Sequence, residues 1–436
     1  MAKNTFGSLS DLFSNKKAVI GIIGLGYVGL PLAMRFSEIG YKTIGFDTDD
    51  EKIKFLNSGK SYIRHINSKS IKSSIKKGFT ATNDFSFCKN CDGIIICVPT
   101  PLNKLQKPEL KYIKSSLKKL APYLRKNQVV SLESTTYPGT CEEIILPFLQ
   151  ENKFKVGKDF YLVYSPERED PGNKNFSVNN IPKIVAGHTE SCLEVGLSLY
   201  GKAIDSLIPV KDTKVGEMAK LLENAHRAVN IAFINEMKVV AEKMSIDIFE
   251  VIDAAKSKPF GFSPYYPGPG IGGHCIPIDP IYLSWRAKQF KAKTTMIDLS
   301  DRINSSMPKR VIDKSFKALK KKKKKTKGLK ILILGVAYKK NVDDFRESPS
   351  FKIAELFKKR SAKVFYSDPL INEIDNNSFF ESKYSIALNK KNISSFDLVI
   401  LSTDHDFFNY ELIQKHSKII IDSRGRFNLS DKIYRA

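Results

Sequence analysis

Cys275 ends a glycine-rich run, Gly268-Pro269-Gly270-Ile271-Gly272-Gly273-His274-Cys275, and Asp279-Pro280 just beyond it reads as a helix start. Glycines let a substrate approach the backbone, and the amides of a nearby helix N-terminus can stabilise both a thiolate and an oxyanion. This is how a nucleophilic thiol is displayed, although the local sequence also allows a buried, inert cysteine. Lys220 and Asn224 are four residues apart and so share a helix face, with Arg227 one turn further on. Without context that trio reads as a solvated stripe.

A second group of residues suits a phosphate-bearing cofactor. Gly24-Leu25-Gly26-Tyr27-Val28-Gly29 follows an apolar run and opens an apolar helix that carries Leu32, Ala33 and Phe36. Its glycines permit a tight turn, close approach of backbone to a pyrophosphate, and tight packing of helix on strand. Asp47 ends the next strand, 18 residues beyond Gly29, where a carboxylate accepts hydrogen bonds from a ribose and repels a 2′-phosphate. The expected cofactor is therefore NAD rather than NADP. Cys88-Lys89-Asn90-Cys91 has redox-motif spacing but no second ligand pair for zinc, so it reads as two thiols at a strand edge, and no metal site is expected.

The elements that must hold these groups are legible as alternations. Short β-type runs at 18–23, 42–46, 93–98 and 128–132 alternate with amphipathic or polar segments, which implies a parallel sheet with crossover helices, and 161–164 and 183–185 can extend it. Across 214–244 the apolar residues recur at intervals of three or four, giving one long amphipathic helix that joins two domains or packs on a partner subunit. Lys320 to Lys325 with Lys327 reads as a solvated linker, since dense like charge resists compaction and no aromatic residues interleave it. Runs at 329–334, 363–366, 398–401 and 418–421 then restart the alternation. The expected class is α/β, two Rossmann-like domains joined by a long central helix and a small helical domain. The expected bounds are 1–205 for the NAD-binding domain, 206–315 for the helical dimerisation domain, 316–328 for the linker and 329–436 for a second Rossmann-like domain.

Composition narrows the class of function. With 42% hydrophobic and 27% charged residues the chain is an ordinary globular one. Lys and Arg number 71 against 46 Asp and Glu, a net +25 that attracts anions of some kind. The longest mainly apolar stretch, 18–33, is shorter than a membrane span and is broken by four glycines and a proline, and 1–17 lacks the apolar region of a secretory signal. A cytoplasmic protein with reduced thiols and no membrane span is expected.

Seven motifs then occur in one order. They are Gly24-x-Gly26-Tyr27-Val28-Gly29-Leu30-Pro31, Val98-Pro99-Thr100-Pro101, Glu133-Ser134-Thr135, Ser165-Pro166-Glu167-Arg168, Lys220-x-x-x-Asn224, Gly272-Gly273-His274-Cys275-Ile276-Pro277-x-Asp279-Pro280, and Gly335-Val336-Ala337-Tyr338-Lys339-Lys340 with Asp343-Asp344-Phe345-Arg346-Glu347-Ser348-Pro349. Together they resemble the UDP-glucose/UDP-mannuronate dehydrogenase family over nearly the whole chain, leaving out about the first 15 residues and the lysine run. The resemblance implies a four-electron oxidation of a sugar C6 hydroxymethyl group to a carboxylate with two NAD consumed, for polysaccharide precursor synthesis. In that reading Cys275 adds to the aldehyde, the thiohemiacetal becomes a thioester, and water releases the acid.

The resemblance also distributes roles. Lys220 and Asn224 stabilise oxyanions, Asp279 and a water held with Thr135 handle protons, and Glu167 assists thioester hydrolysis, with Lys220 a further candidate for proton transfer. Cofactor contacts map onto Gly24, Gly26, Tyr27, Val28, Gly29, Asp47, Lys52, Thr100 and Thr135. Sugar-nucleotide contacts map onto Arg168, Glu169, Lys220, Asn224, Arg227, Gly272, Tyr338, Lys339, Arg346 and Arg424, where cations suit a diphosphate. Segments 258–270 and 166–172 are similar to the branch acting on UDP-N-acetylhexosamines, with the acidic Glu169 standing where that branch is commonly apolar. UDP-N-acetylglucosamine is the expected substrate, with the galactosamine and mannosamine epimers and UDP-glucose as alternatives, and a homodimer built on the long helix is expected. A β-hydroxyacid-type dehydrogenase would need neither Cys275 nor a second Rossmann-like domain. A basic nucleic-acid-binding protein would need none of the seven motifs, so no specific nucleic acid is expected.

Overall fold

The runs read as strands form strands because each is buried on both faces, as a parallel sheet covered by helices requires. The computed structural model describes residues 5–63, 66–168, 178–375 and 378–436, in two compact units: 1–223 with 285–292, and 224–284 with 293–436.

The first unit is built on eight strands: β1 (Val19–Ile23), β2 (Lys42–Phe46), β3 (Phe79–Thr82), β4 (Gly93–Ile96), β5 (Val129–Leu132), β6 (Tyr161–Tyr164), β7 (Lys183–Gly187) and β8 (Leu207–Val210). Their spatial order is β3-β2-β1-β4-β5-β6-β7-β8. The first six are parallel in the order of a dinucleotide-binding sheet, while β7 runs antiparallel to β6. Ile20, Ile22, Ile95, Val129 and Val163 form its core with Phe36 and Tyr200 from covering helices. Each such large apolar side chain contributes about 1.5–3 kcal/mol by leaving water. The chain start, which gave no signal in the sequence, is a helix, Thr5–Ser14, whose Leu9 and Phe13 enter that core. Tyr41 Oη donates to the Phe13 carbonyl at 2.6 Å.

The second unit carries β9 (Lys330–Leu334), β10 (Lys363–Ser367), β11 (Leu398–Leu401), β12 (Ile420–Asp422) and β13 (Ile433–Arg435), all parallel, ordered β10-β9-β11-β12-β13. The long helix is Thr213–Lys243, one residue from its expected bounds. The expected helical domain, 206–315, is divided between the two units. Helix Thr295–Lys321 runs through the boundary expected at 315, and its Val311, Ile312, Ala318 and Leu319 share a core with Ile331, Ile333 and Leu398. The expected linker 316–328 shortens accordingly, because about two turns of apolar spacing outweigh the charge of the first two lysines in the run. Of the rest, Lys322 is paired to Asp431 at 2.8 Å and Lys325 to Asp397 at 3.8 Å. Among the described residues no helix is long and apolar enough to cross a membrane.

Candidate functional site

In the first unit the predicted cofactor residues converge at the carboxyl ends of β1, β2, β4 and β5. A Cβ on Gly29 would lie 1.9 Å from the Gly24 carbonyl oxygen, so only glycine lets the helix Gly29–Glu38 start this close to β1. Gly26 faces open space, with nothing within 4 Å of where its Cβ would be. Asp47 Oδ2 accepts from Leu25 N at 2.9 Å and Oδ1 from Asp49 N at 3.0 Å, while Lys52 Nζ lies 3.7 Å away. The Tyr62 hydroxyl donates to the Leu25 carbonyl and closes the loop from outside. An open phosphate cradle beside a partly exposed carboxylate fits NAD, which Gly24 to Gly29, Asp47 and Lys52 would hold. Thr100 is buried and Thr135 half-buried at the ends of β4 and β5.

The second Rossmann-like sheet has a matching acid, Asp368, after β10, but no vacancy. Its carboxylate accepts from Val336 N, Ala337 N, Leu370 N and Ile371 N at 2.8–3.1 Å. Asn341 N donates to His405 Nδ1 at 2.9 Å, which leaves the Nε2 proton for Asp368 at 3.1 Å. Asp368 is 2% exposed, so only the first sheet offers a dinucleotide its acid.

The glycine loop belongs to the second unit, where Cys275 is the exposed one of the six cysteines. A Cβ on Gly272 would meet the Glu347 carbonyl oxygen at 2.8 Å and Tyr338 Cβ at 2.9 Å. Gly273, at φ +86°, lies against the Tyr338 ring, and its N–H donates to the Arg346 carbonyl at 3.0 Å. These contacts bring Gly272, Tyr338 and Arg346 together with Cys275. Beyond the thiol the chain turns into helix Asp279–Gln289, with Ile278 N and Asp279 N both donating to the Cys275 carbonyl, at 3.0 and 2.8 Å. Asn224 Nδ2 reaches across from the long helix to Asp279 Oδ2 at 2.6 Å, a short charge-assisted bond to a carboxylate 2% exposed. Burial lowers the pKa of His274 beside the thiol, with Arg346 acting in the same direction. Arg424 sits under Gly268, where a Cβ would be 2.7 Å from Nη1, and donates from Nε to the Ser402 carbonyl at 2.7 Å. A cavity of about 620 Å³ opens beside the loop, lined by Ile271, Pro277, Arg346, Phe351 and Phe379 among others, but by neither Tyr338 nor Lys339.

Glu167, Arg168 and Lys220 lie in the first unit. Lys220 is buried on the long helix, whereas Arg227 is exposed. Arg168 binds Glu223 at 2.7 Å and the Pro182 carbonyl at 2.7 Å. Glu169 lies outside the described residues. Cys88 and Cys91 are inert as expected: burial raises both thiols, Cys91 to about 12.

Two buried acids were missed in the sequence. Glu217, wholly buried on the long helix, accepts from Gly139 N at 2.5 Å and Cys141 N at 2.9 Å, and so ties that helix to the segment after Thr135. Glu133 pairs with Lys183 at 3.1 Å inside the sheet, and Lys183 also lies 3.6 Å from Glu167. Neither gives a spacing signal, since the partners of Glu217 are 78 and 76 residues away and Lys183 is 50 residues from Glu133; the available hint was a lysine opening a strand whose other residues are all apolar.

The geometry has counterparts among known proteins. Sequence profiles of the UDP-glucose/GDP-mannose dehydrogenase family match residues 18–204 (NAD binding domain), 214–306 (central domain) and 332–429 (UDP binding domain). The chain is 33% identical over 418 residues to the UDP-N-acetyl-D-mannosamine dehydrogenase of Pyrococcus horikoshii, covering 93% of this chain and 95% of that one. It is 33% identical over 400 residues to the UDP-N-acetyl-D-glucosamine 6-dehydrogenase of Salmonella typhi, covering 91% and 92%. A solved structure of UDP-D-ManNAc dehydrogenase from Pyrococcus horikoshii superposes with a TM-score of 0.86 at 31% identity, over 96% of this chain and 98% of that one.

Proposed function

The chain belongs to the UDP-glucose/GDP-mannose dehydrogenase family and is an NAD-dependent dehydrogenase of a UDP-sugar; from that premise we propose that it carries the C6 alcohol of a UDP-N-acetylhexosamine to the carboxylate through a thioester on Cys275. The observation that carries this reading is the exposed Cys275 thiol on a loop whose following turn is fixed by Asp279, itself held by Asn224. A dehydrogenase that stops at a ketone or aldehyde needs no such thiol.

When bound, NAD accepts one hydride at each of the two oxidations. The chain's own residues do the rest. Cys275 Sγ adds to the aldehyde carbon, giving a thiohemiacetal, and after the second oxidation it holds the sugar as a thioester. Lys220 and Asn224 supply cationic and N–H character for the oxyanions, Asp279 and Thr135 hold the proton-carrying water, and Glu167 takes a proton from the water that cleaves the thioester. Arg168, Arg227, Gly272, Tyr338, Lys339, Arg346 and Arg424 serve the UDP-sugar, with Arg346 and Arg424 beside the glycine loop.

Among epimers, the similarity in sequence is divided evenly, while the solved structure with a TM-score of 0.86 acts on the mannosamine sugar. We therefore place UDP-N-acetylmannosamine first and UDP-N-acetylglucosamine, the substrate expected from the sequence, second. The stripe Val215, Met218, Leu222, Phe233, Val240 and Met244 is exposed along the long helix at spacings of three, four, seven and eleven, a single apolar face that supports a homodimer.

The test is NADH formed per molecule of limiting UDP-N-acetylmannosamine and, separately, UDP-N-acetylglucosamine, for the unmodified protein and Cys275→Ser. Two NADH and a uronate, both lost in Cys275→Ser, are expected. No NADH from any UDP-sugar would overturn the reading.

A further inference from the structure

A lysine with 4% exposure stands between two carboxylates inside the first sheet, and the chemistry described so far gives it nothing to do. Lys183 opens β7; its ammonium lies 3.1 Å from Glu133 Oε2 at the end of β5 and 3.6 Å from Glu167 Oε2 after β6. Glu133, 1% exposed, is itself held: Tyr200 Oη donates to its Oε1 at 2.7 Å and accepts from Ser131 Oγ at 2.8 Å. The ammonium also lies over the Tyr200 ring, 5.3 Å from its centre. Glu167 Oε1 accepts from Arg168 N at 2.6 Å, so Lys183 and a backbone amide fix both carboxylate oxygens.

Burying an ion pair rarely stabilises a fold relative to an apolar substitute. A triad in which the outer acid is the one with residual access to solvent points to function at that acid. We propose that Lys183 is the positioning residue for product release: anchored by Glu133, it holds Glu167 in one orientation, ready to take the proton of the hydrolytic water. In that step the water oxygen bonds to the thioester carbon, the carbon–sulfur bond breaks with its electron pair passing to Cys275 Sγ, and the water's proton goes to Glu167. No oxidant takes part. Among the described residues, Cys97 after β4, Tyr200 on helix Glu190–Tyr200, and Arg168, whose guanidinium is turned to Glu223, also face the triad. Burial works against the Lys183 ammonium, yet Glu133 and Glu167 hold it above its ordinary value, so it is a cation throughout the working range.

The inference rests on the dehydrogenase reading of Cys275 and is separable from it. The experiment follows rapid and steady-state NADH formation and intact protein mass in the full chain with NAD and UDP-N-acetylmannosamine or UDP-N-acetylglucosamine. For Lys183→Met, a burst of two NADH per site should precede turnover slowed at least tenfold, with the sugar thioester accumulating on the protein and the acid limb of kcat moved to higher pH. Lys183→Arg should restore most of the turnover. Glu133→Gln, which gives Lys183 over to Glu167, should move the acid limb the opposite way. Since Lys183→Met leaves Glu133 buried without its cation, the double variant Lys183→Met with Glu133→Gln serves if the single one does not fold, and should show the same burst and adduct. Folded variants that turn over without a burst, or with KM alone changed, would overturn the assignment. No NADH from the unmodified protein would instead remove the dehydrogenase reading beneath it.

Discussion

Asn224→Ala isolates the bond that links the long helix to the nucleophile's loop. In the unmodified protein Asn224 Nδ2 donates to Asp279 Oδ2 at 2.6 Å, and Asp279 N donates to the Cys275 carbonyl at 2.8 Å. Removing a hydrogen bond to a charged, buried acceptor costs about 1.5–3 kcal/mol. At about 1.4 kcal/mol per tenfold, that converts to roughly a 10- to 150-fold fall in kcat/KM if the bond persists in the transition state. Asn224→Asp is the sharper probe. It sets a second carboxylate where the first has 2% exposure, and two such groups in contact cannot both ionise. One of them keeps a proton, so activity should fall further above neutral pH and recover in part as pH drops, whereas Asn224→Ala should keep the unmodified pH profile. Initial rates of NADH formation across pH 6–9 on both variants, with thermal melts to confirm folding, decide it (the range being about 1.5 units either side of about pH 7.5). A kcat/KM for Asn224→Ala within about threefold of the unmodified protein, beyond the reach of a bond of this strength, would refute the reasoning.

Glu217 gives a pH dependence of stability. Burial raises its pKa to about 7, opposed by the Gly139 and Cys141 N–H groups. Because its unfolded value is lower, the native state binds more protons between the two, so stability from this group should fall as pH rises from about 4.5 to about 7 and then level off, by no more than about 3.5 kcal/mol. Glu217→Gln should flatten that slope in melts at pH 5 and 7.5, and parallel curves for the two proteins would count against it. For the assembly, light scattering at micromolar concentration should give a dimer mass for the unmodified chain and a monomer for Leu222→Glu with Phe233→Glu, both residues being exposed on one stripe; a monomeric unmodified protein would end the proposal.

What the sequence carried was whatever works through neighbours in the chain. A strand, a glycine turn and a helix are consecutive, so Gly24 to Gly29 and Asp47 could be read off and stand where expected. The bounds of the long helix follow from periodicity within one residue. The lysine run misled because its charge hid the apolar spacing of Val311, Ile312, Ala318 and Leu319 just before it, and packing on that face carries the helix on to Lys321. The Glu133, Lys183 and Glu167 triad could not be read, since three strands far apart in the chain have to be laid side by side before the charges meet.

The two acids after β2 and β10 show where such reading stops. Asp47 and Asp368 each follow the second strand of a glycine-turn unit, and each accepts backbone N–H bonds from the turn after its sheet's first strand. By pattern alone either could receive a ribose. Asp368 is closed by His405, which arrives from beyond β11 and uses the remaining acceptor capacity of a group with no access to solvent. Among the described residues the cation beside Asp47 is Lys52, at 3.7 Å and partly exposed, and a cation on a flexible stem can give way to a ligand. The choice of which sheet binds a dinucleotide is thus made by one buried histidine some forty residues from the acid it caps, and by the exposure of a lysine five residues from the other.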